Sequence, residues 1–347
     1  MPSVGNDSKA DHDYYMPHSL FVIHVTFSSF ILFSGVLVNS VSIGVIVRLK
    51  LFRETSVLFT LHLMVVNLTT SIVAMSFALV HSFSSILRND RFCRGTGFVV
   101  FVLIGTQMCN ITLISVSTYL KVSHSTLGKA VFSRSRNVVL CLCFVWSIPF
   151  IIMLMPATEI WGKFSFSKLS PWCYPFSGGF GTFMVCFSLA TSLSALLISY
   201  VGIVRTVLGS RRKVESVNQL ERQRKKKLRN ERQLIVAVVI MVTSFIILFL
   251  PSGVLPIVDP EYNLSVDIHI IFTYVMWSQN VLETVIYSTL NSKIRNGIRA
   301  CIFCTTFARP AEKNVSMWRT NWIQRLPQRK LWFYCDCIVT NPPLNIT

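Results

Sequence analysis

Between Arg94 and Lys121 the chain carries no charged residue. A helix of that length, rising about 1.5 Å per residue, crosses a hydrocarbon core of about 30 Å with room for tilt. Its middle and lower half nevertheless hold Gln107, Asn110, Thr112, Ser115, Ser117 and Thr118. Polar groups at membrane depth need protein partners, so this span is predicted to stand inside a ring of other helices. Apolar runs of crossing length occur at 20–47, 56–87, 93–119, 138–156, 180–203, 234–258 and 268–290, which makes seven spans. An odd number of crossings puts the two termini on opposite sides. The expected fold is therefore all-α, a seven-transmembrane helix bundle followed by a short amphipathic eighth helix.

Composition agrees with a membrane setting. The 347 residues are 52% hydrophobic and only 14% charged, where soluble domains carry about 25% charged residues. The net charge of +18 would suit nucleic acid if it were spread over one face, but it is not. With the N-terminus outside, the outer segments carry Lys9, Arg88, Arg91, Arg94, Lys163 and Lys168. The inner loops carry Arg48, Lys50, Arg53, Lys121, Lys129, Arg134, Arg136, Arg205 and Arg211 to Lys213, then the run from Arg222 to Arg232. The tail adds Lys293, Arg295 and Arg299. That bias is a topology signal, with the N-terminus extracellular. The 222–232 run is expected to extend span six into the cytosol, where it meets lipid headgroups or a partner, and no nucleic-acid partner is expected.

The organisation expected is an extracellular N-terminus (1–19), a bundle (20–290), a membrane-surface helix (291–303) and a cytoplasmic tail (304–347). The polar start, with Asp7, Asp11 and Asp13, has no cleavable signal peptide, so span one acts as the targeting signal. Asn6 and Asn263 head glycosylation sequons that fall outside in this topology. The ten cysteines show no paired CxxC or Cys/His metal spacing. No HExxH, Gly-x-Ser-x-Gly or Walker loop is present, so neither an enzyme nor a cofactor is implied.

Several landmarks follow one another at informative intervals. Gly35-Val36-Leu37-Val38-Asn39 lies in span one. Cys93 opens span three, and Cys173 follows in Pro171-Trp172-Cys173. Trp146 stands mid-span four, three residues before Pro149. Span six holds Phe245, Phe249 and Pro251, and Tyr287 ends span seven before Asn291-Ser292-Lys293-Ile294-Arg295. In this order they resemble the rhodopsin-like class (class A) of G-protein-coupled receptors, over roughly residues 20–304. The resemblance implies a disulfide between Cys93 and Cys173 that would pin the second outer loop over the helix mouth. It further implies that Pro251 breaks and bends span six, and that Tyr200 meets Tyr287 across the bundle. Heterotrimeric G proteins and arrestin are the partners implied, at the plasma membrane.

Departures from the family pattern are as informative. Span two reads His62-Leu63-Met64-Val65-Val66-Asn67, with Asn67 in place of the family acid. Span seven reads Glu283-Thr284-Val285-Ile286-Tyr287, with an acid in place of the family Asn. A carboxylate is thus lost on one helix and gained on the facing one. An intramembrane carboxylate is costly unless paired or protonated. Glu283 is expected to contact Asn67 and Asn39, together with Asn280 and Gln107. Two readings stand: a relocated sodium or proton site at mid-membrane, or a protonated acid hydrogen-bonded to Asn67. At the foot of span three, Ser117-Thr118-Tyr119 replaces the family Asp-Arg-Tyr. Thr118 cannot pair with Glu231 at the base of span six, which implies a weakened resting lock, with constitutive signalling or poor coupling.

The outer half of span three has no acid near Val100, which disfavours an amine ligand, and span seven has no Lys, which excludes a retinal Schiff base. The candidate ligand-binding residues are Val100, Ile104, Met108, Trp172, Phe249 and Trp277, apolar and aromatic, which fits a lipid-like or peptide ligand. His24, His62 and His81 are read as hydrogen-bonded core or interface residues. Cys301 and Cys304 are palmitoylation candidates, with free buried thiols the other reading. The expected function is a receptor that passes an extracellular ligand signal to G proteins. The alternative is a non-signalling seven-helix protein, a decoy, scaffold or trafficking partner. A transporter ranks third, because no inverted repeat or charged midplane site is evident.

Overall fold

The computed structural model describes residues 17–83, 90–123, 125–132, 134–166, 171–175, 179–211, 219–259 and 264–302. Among these residues the chain forms α1 (His18–Arg48), a 3-10 turn (Leu51–Arg53), α2 (Thr55–Phe83), α3 (Asp90–Ser123), α4 (Ser125–Phe132) and α5 (Ser135–Ala157). A small hairpin, β1 (Ser165–Phe166) and β2 (Cys173–Tyr174), precedes α6 (Phe180–Arg211), α7 (Gln219–Val258), α8 (Val266–Leu290) and α9 (Ser292–Ile302). The hairpin is antiparallel, with Ser165 opposite Tyr174 and Phe166 opposite Cys173.

The seven long helices contain six of the apolar spans whole, several running past them by a turn or more, and α2 holds 56–83 of the second, whose last four residues lie outside the described residues. Polar extensions carry them on: α7 reaches back to Gln219 through the basic run. Five of the long helices are apolar enough to cross a bilayer on that ground alone. In α6 the apolar stretch is Phe180–Ala195. In α8, Gln279, Asn280 and Glu283 dilute the apolar character, and all three are buried. The short helix α4 between α3 and α5 was not anticipated from the sequence, being too short to show a period.

The bundle is inverted relative to a soluble protein. Phe30, Phe33, Leu37, Phe144, Ile151, Leu197 and Ile247 lie exposed on its outside. Asn39, Asn67, Thr70, Gln107, Asn110, Ser115 and Glu283 lie buried within. An exposed apolar belt of this extent needs a lipid solvent. The helix α3 is the central post, packed against α2, α5, α6 and α7, while α1 packs on α2 and α8. Small residues set the closest approaches: a Cβ at Gly105 would stand 2.5 Å from Pro149 Cβ, so α3 and α5 cross there only because no side chain intervenes.

At the end of α8 the chain turns on Asn291, whose backbone is extended. Its side-chain oxygen accepts the N–H groups of Lys293 at 3.1 Å and Ile294 at 3.3 Å, capping α9. Ile294, Gly297 and Ala300 recur three apart on the buried side of α9, with Lys293 and Arg299 exposed. This helix rests on α1 and α8, and Lys293 pairs with Glu54.

Two expectations are corrected here. Pro251 does not break its helix, because α7 continues to Val258. The proline removes one donor to the carbonyl a turn earlier and leaves the helix to run on. Tyr200 does not meet Tyr287. It is 62% exposed on the outside of α6, while Tyr287 is fully buried. The Tyr287 hydroxyl instead accepts from Asn291 Nδ2 at 3.4 Å. The apolar sequence around Tyr200 gives no phase, and helix packing turned it outward.

Candidate functional site

Three places along the bundle hold the residues singled out from the sequence. The first is a pocket at the end of the bundle where Cys93 and Cys173 are bonded, with their Cα atoms 5.5 Å apart. The bond ties β2 to the first turn of α3. A second tie comes from His81 of α2, whose Nδ1 donates to the Pro171 carbonyl at 2.6 Å. Trp172 sits between these two anchors and is driven inward. It stacks on Trp277 of α8 with ring centroids 4.5 Å apart and planes 30° apart. Val100, Ile104, Met108, Trp172, Phe249 and Trp277 all line this one pocket. The lining also includes Phe77, His81, Phe101, Met184, Ser252 and Met276, which the sequence reading did not select. Of these, His81 carried a signal, as a lone titratable residue near the outer end of an apolar span. Both indole nitrogens are buried without a hydrogen-bond partner.

The second place is a polar core one turn deeper. Gln107 comes one residue before Met108 on α3 and turns from the pocket into the bundle. Its Nε2 lies 2.8 Å from Asn67 Oδ1, 3.2 Å from Thr70 Oγ1 and 2.6 Å from Asn280 Oδ1. Asn67 Nδ2 in turn donates to Glu283 Oε2 at 3.1 Å, and Gln279 Nε2 donates to Glu283 Oε1 at 2.7 Å. Neither donor carries a charge. Three helices, α2, α3 and α8, are thereby stitched through one amide cluster. Gln279 and Thr70 were missed in the sequence, although Gln279 lies one turn from Glu283 on the same face.

Asn39 is corrected. It does not bond Glu283: its Nδ2 donates to the Asn280 carbonyl at 3.1 Å, and its Oδ1 accepts from Thr284 Oγ1 at 2.5 Å. The reason is local. Asn39 also donates to the Gly35 carbonyl at 2.8 Å within its own helix, which holds it against the backbone of α8 rather than under the carboxylate.

The third place is the foot of α3. Ser117 is buried and returns its hydroxyl to the Ile114 carbonyl at 2.9 Å. Thr118 is buried too, and its Oγ1 finds no partner. Tyr119 is half-buried. Glu231 lies in α7, with its side chain outside the described residues, as are Asn6, Asn263 and Cys304. Cys301 stands in the last turn of α9, half-buried and outside the disulfide. Phe245 and Phe249 stack one turn apart on α7 at 5.1 Å, so the second ring lies in the pocket lining and the first below it.

His24 and His62, the other two histidines singled out from the sequence, each have a partner. His24 Nδ1 meets the Tyr274 hydroxyl at 2.7 Å. His62 Nε2 accepts from the Trp146 indole at 3.0 Å. A further pair sits beyond α7, where Asp259 Oδ2 accepts from Leu264 N–H at 2.9 Å and meets His269 Nε2 at 3.0 Å.

Several known proteins are similar to this chain over most of its length. Protein trapped in endoderm-1 from Drosophila melanogaster is 22% identical, covering 80% of this chain and 77% of that protein. Parapinopsin from Ictalurus punctatus is 24% identical over 78% of this chain and 79% of its own. Substance-P receptor from Cavia porcellus is 20% identical over 93% and 81%. The family described as 7 transmembrane receptor (rhodopsin family) matches residues 38–304. With that span holding the bonded cysteines, the central α3 and the polar core, the chain belongs to the rhodopsin family of seven-transmembrane, G-protein-coupled receptors.

Proposed function

We propose that this receptor works at the plasma membrane with its N-terminus outside, taking an extracellular lipid-like or peptide ligand in the α3–α6–α7–α8 pocket and signalling to a heterotrimeric G protein. The observation that carries the reading is adjacency. Met108 and Trp277 line the pocket, while Gln107 and Asn280, on the same helices, form the polar core. A ligand that moves either helix must disturb a hydrogen-bonded cluster shared by three helices. The polar core of Asn67, Gln107, Asn280 and Glu283 is then the switch, with Asn39 bracing α1 against it and Phe245, Pro251 and Tyr287 along the route inward. Arrestin is the further partner, glycosylation at Asn6 and Asn263 marks the outer side, and Cys301 and Cys304 are the acylation candidates.

Thr118 supports a second reading. A buried hydroxyl without a partner stands where the family carries an Arg, so position 118 itself offers no cation to a G protein, and Lys121, one turn along α3, is the substitute at hand. The protein would then be a receptor-like decoy or scaffold. Nucleotide exchange on a panel of purified G proteins separates the two, with the native chain and Thr118→Arg measured side by side. Exchange by the native chain supports the signalling receptor. Silence that Thr118→Arg converts into exchange supports the decoy.

A further inference from the structure

We infer that the pocket is built for a small, neutral, acyl-type ligand whose carbonyl oxygen is held by the indole N–H groups of Trp172 and Trp277. This rests on the pocket being the ligand site proposed above and names the chemistry of what enters it.

The cavity wall is apolar over most of its surface, through Val100, Ile104, Met108, Phe249 and Met276. Among the described lining residues there is no Asp, Glu, Lys or Arg. A charged ligand group would be buried without a counter-ion, which is strongly unfavourable. Carboxylates and ammonium groups are therefore selected against. The polar groups of the wall are mostly occupied. Thr96 Oγ1 donates to the Phe92 carbonyl at 2.9 Å. Ser252 Oγ lies against Met276 Sδ at 3.4 Å, and His81 Nδ1 serves Pro171. Two donors of these wall side chains, the indole nitrogens of Trp172 and Trp277, are buried without a partner in residues only 4% exposed, and His81 Nε2 adds an acceptor.

Buried N–H groups of Trp are normally paired, and an orphan costs free energy that a ligand acceptor restores. The two rings are stacked, so each spends one face on the other. That favours recognition through their N–H edges over an aromatic cage around a cation. Two spare donors in an apolar wall match one carbonyl oxygen, which has two lone pairs. They do not match a peptide, whose backbone brings a donor and an acceptor at nearly every residue. The disulfide and the His81–Pro171 bond hold Trp172 in register with Trp277, so the pair is positioned before any ligand arrives.

The test uses purified full-length protein in nanodiscs and saturation binding of tritiated decanamide. Methyl decanoate, undecane and decanoate serve as unlabelled competitors. They share an alkyl chain and differ in acceptor and charge. Decanamide should bind saturably and methyl decanoate should displace it, while undecane and decanoate compete at least tenfold more weakly. Trp172→Phe and Trp277→Phe keep the ring and lose the donor, so each should weaken decanamide about tenfold and leave undecane unchanged. Unchanged decanamide affinity in both variants overturns the inference, as does decanoate outcompeting the amide, or saturable binding by no neutral probe. Val100→Trp and Ile104→Phe, which fill the cavity, separate the two levels. If both fold and still bind decanamide normally, the pocket itself is the wrong site. If they abolish binding while the Phe variants do not weaken it, the pocket stands and the carbonyl assignment falls.

Discussion

Replacing Asn67 by Asp sets two carboxyl groups against each other at the centre of the bundle. In the native chain Asn67 Nδ2 approaches Glu283 Oε2 at 3.1 Å. Asn67→Asp puts an oxygen in that place. At the 3.1 Å separation and an effective dielectric constant of 20, two unit charges repel by about 5 kcal/mol. Uptake of a proton lowers this, so a net destabilisation of about 3–5 kcal/mol is expected. At about 2 °C per kcal/mol for a chain of this size, the unfolding midpoint should fall by roughly 6–10 °C.

Glu283→Gln alone should cost less, about 1–2 kcal/mol. It presents an amide N–H to one of two existing N–H donors, Asn67 or Gln279, and one bond is lost. The double variant, Asn67→Asp with Glu283→Gln, exchanges acid and amide between α2 and α8 and recreates a carboxylate–amide pair. Its midpoint should return to within about 2 °C of native. The assay is thermal unfolding of all four proteins in one detergent. A coupling below about 0.5 kcal/mol, within the range of independent sites, would falsify the idea that these two side chains form one unit.

Three further outcomes follow from the geometry. Cys93→Ser opens a link between positions separated by 80 residues, and should cost about 4 kcal/mol of stability and expose Trp172 to aqueous quenchers. Gly105→Val drives a side chain into Pro149, 2.5 Å from the first added atom, so the fraction recovered as monodisperse folded protein should fall severalfold on size exclusion. Asp259→Ala removes the acceptor of the Leu264 N–H, and hydrogen exchange at Leu264 should speed by at least tenfold while the pocket amides of α3 stay protected.

Much of the bundle was legible because lipid simplifies the rules. Seven apolar runs give seven long helices, since the backbone has no other way to satisfy itself at that depth. Polar residues inside those runs, such as Gln107, Asn67 and Glu283, point inward for the same reason, and the structure draws all three together. The basic run of 222–232 extends α7 as expected. Where the sequence was apolar on every side, it gave no phase. Tyr200 and Trp146 look alike as aromatic residues in greasy helices, yet one lies exposed on the outside of α6 and the other reaches His62.

What the sequence alone determined is the number of long apolar helices and which side chains must avoid lipid, because both are set by the cost of burying an unpaired polar group in hydrocarbon. What only the tertiary structure decided is who pairs with whom. Asn39 takes Thr284 rather than Glu283, Tyr287 takes Asn291 rather than Tyr200, and Trp172 stacks on Trp277. Those choices depend on the rotation and depth of each helix against its neighbours. Rotation and depth come from close packing at contacts such as Gly105 on Pro149, which no single span encodes.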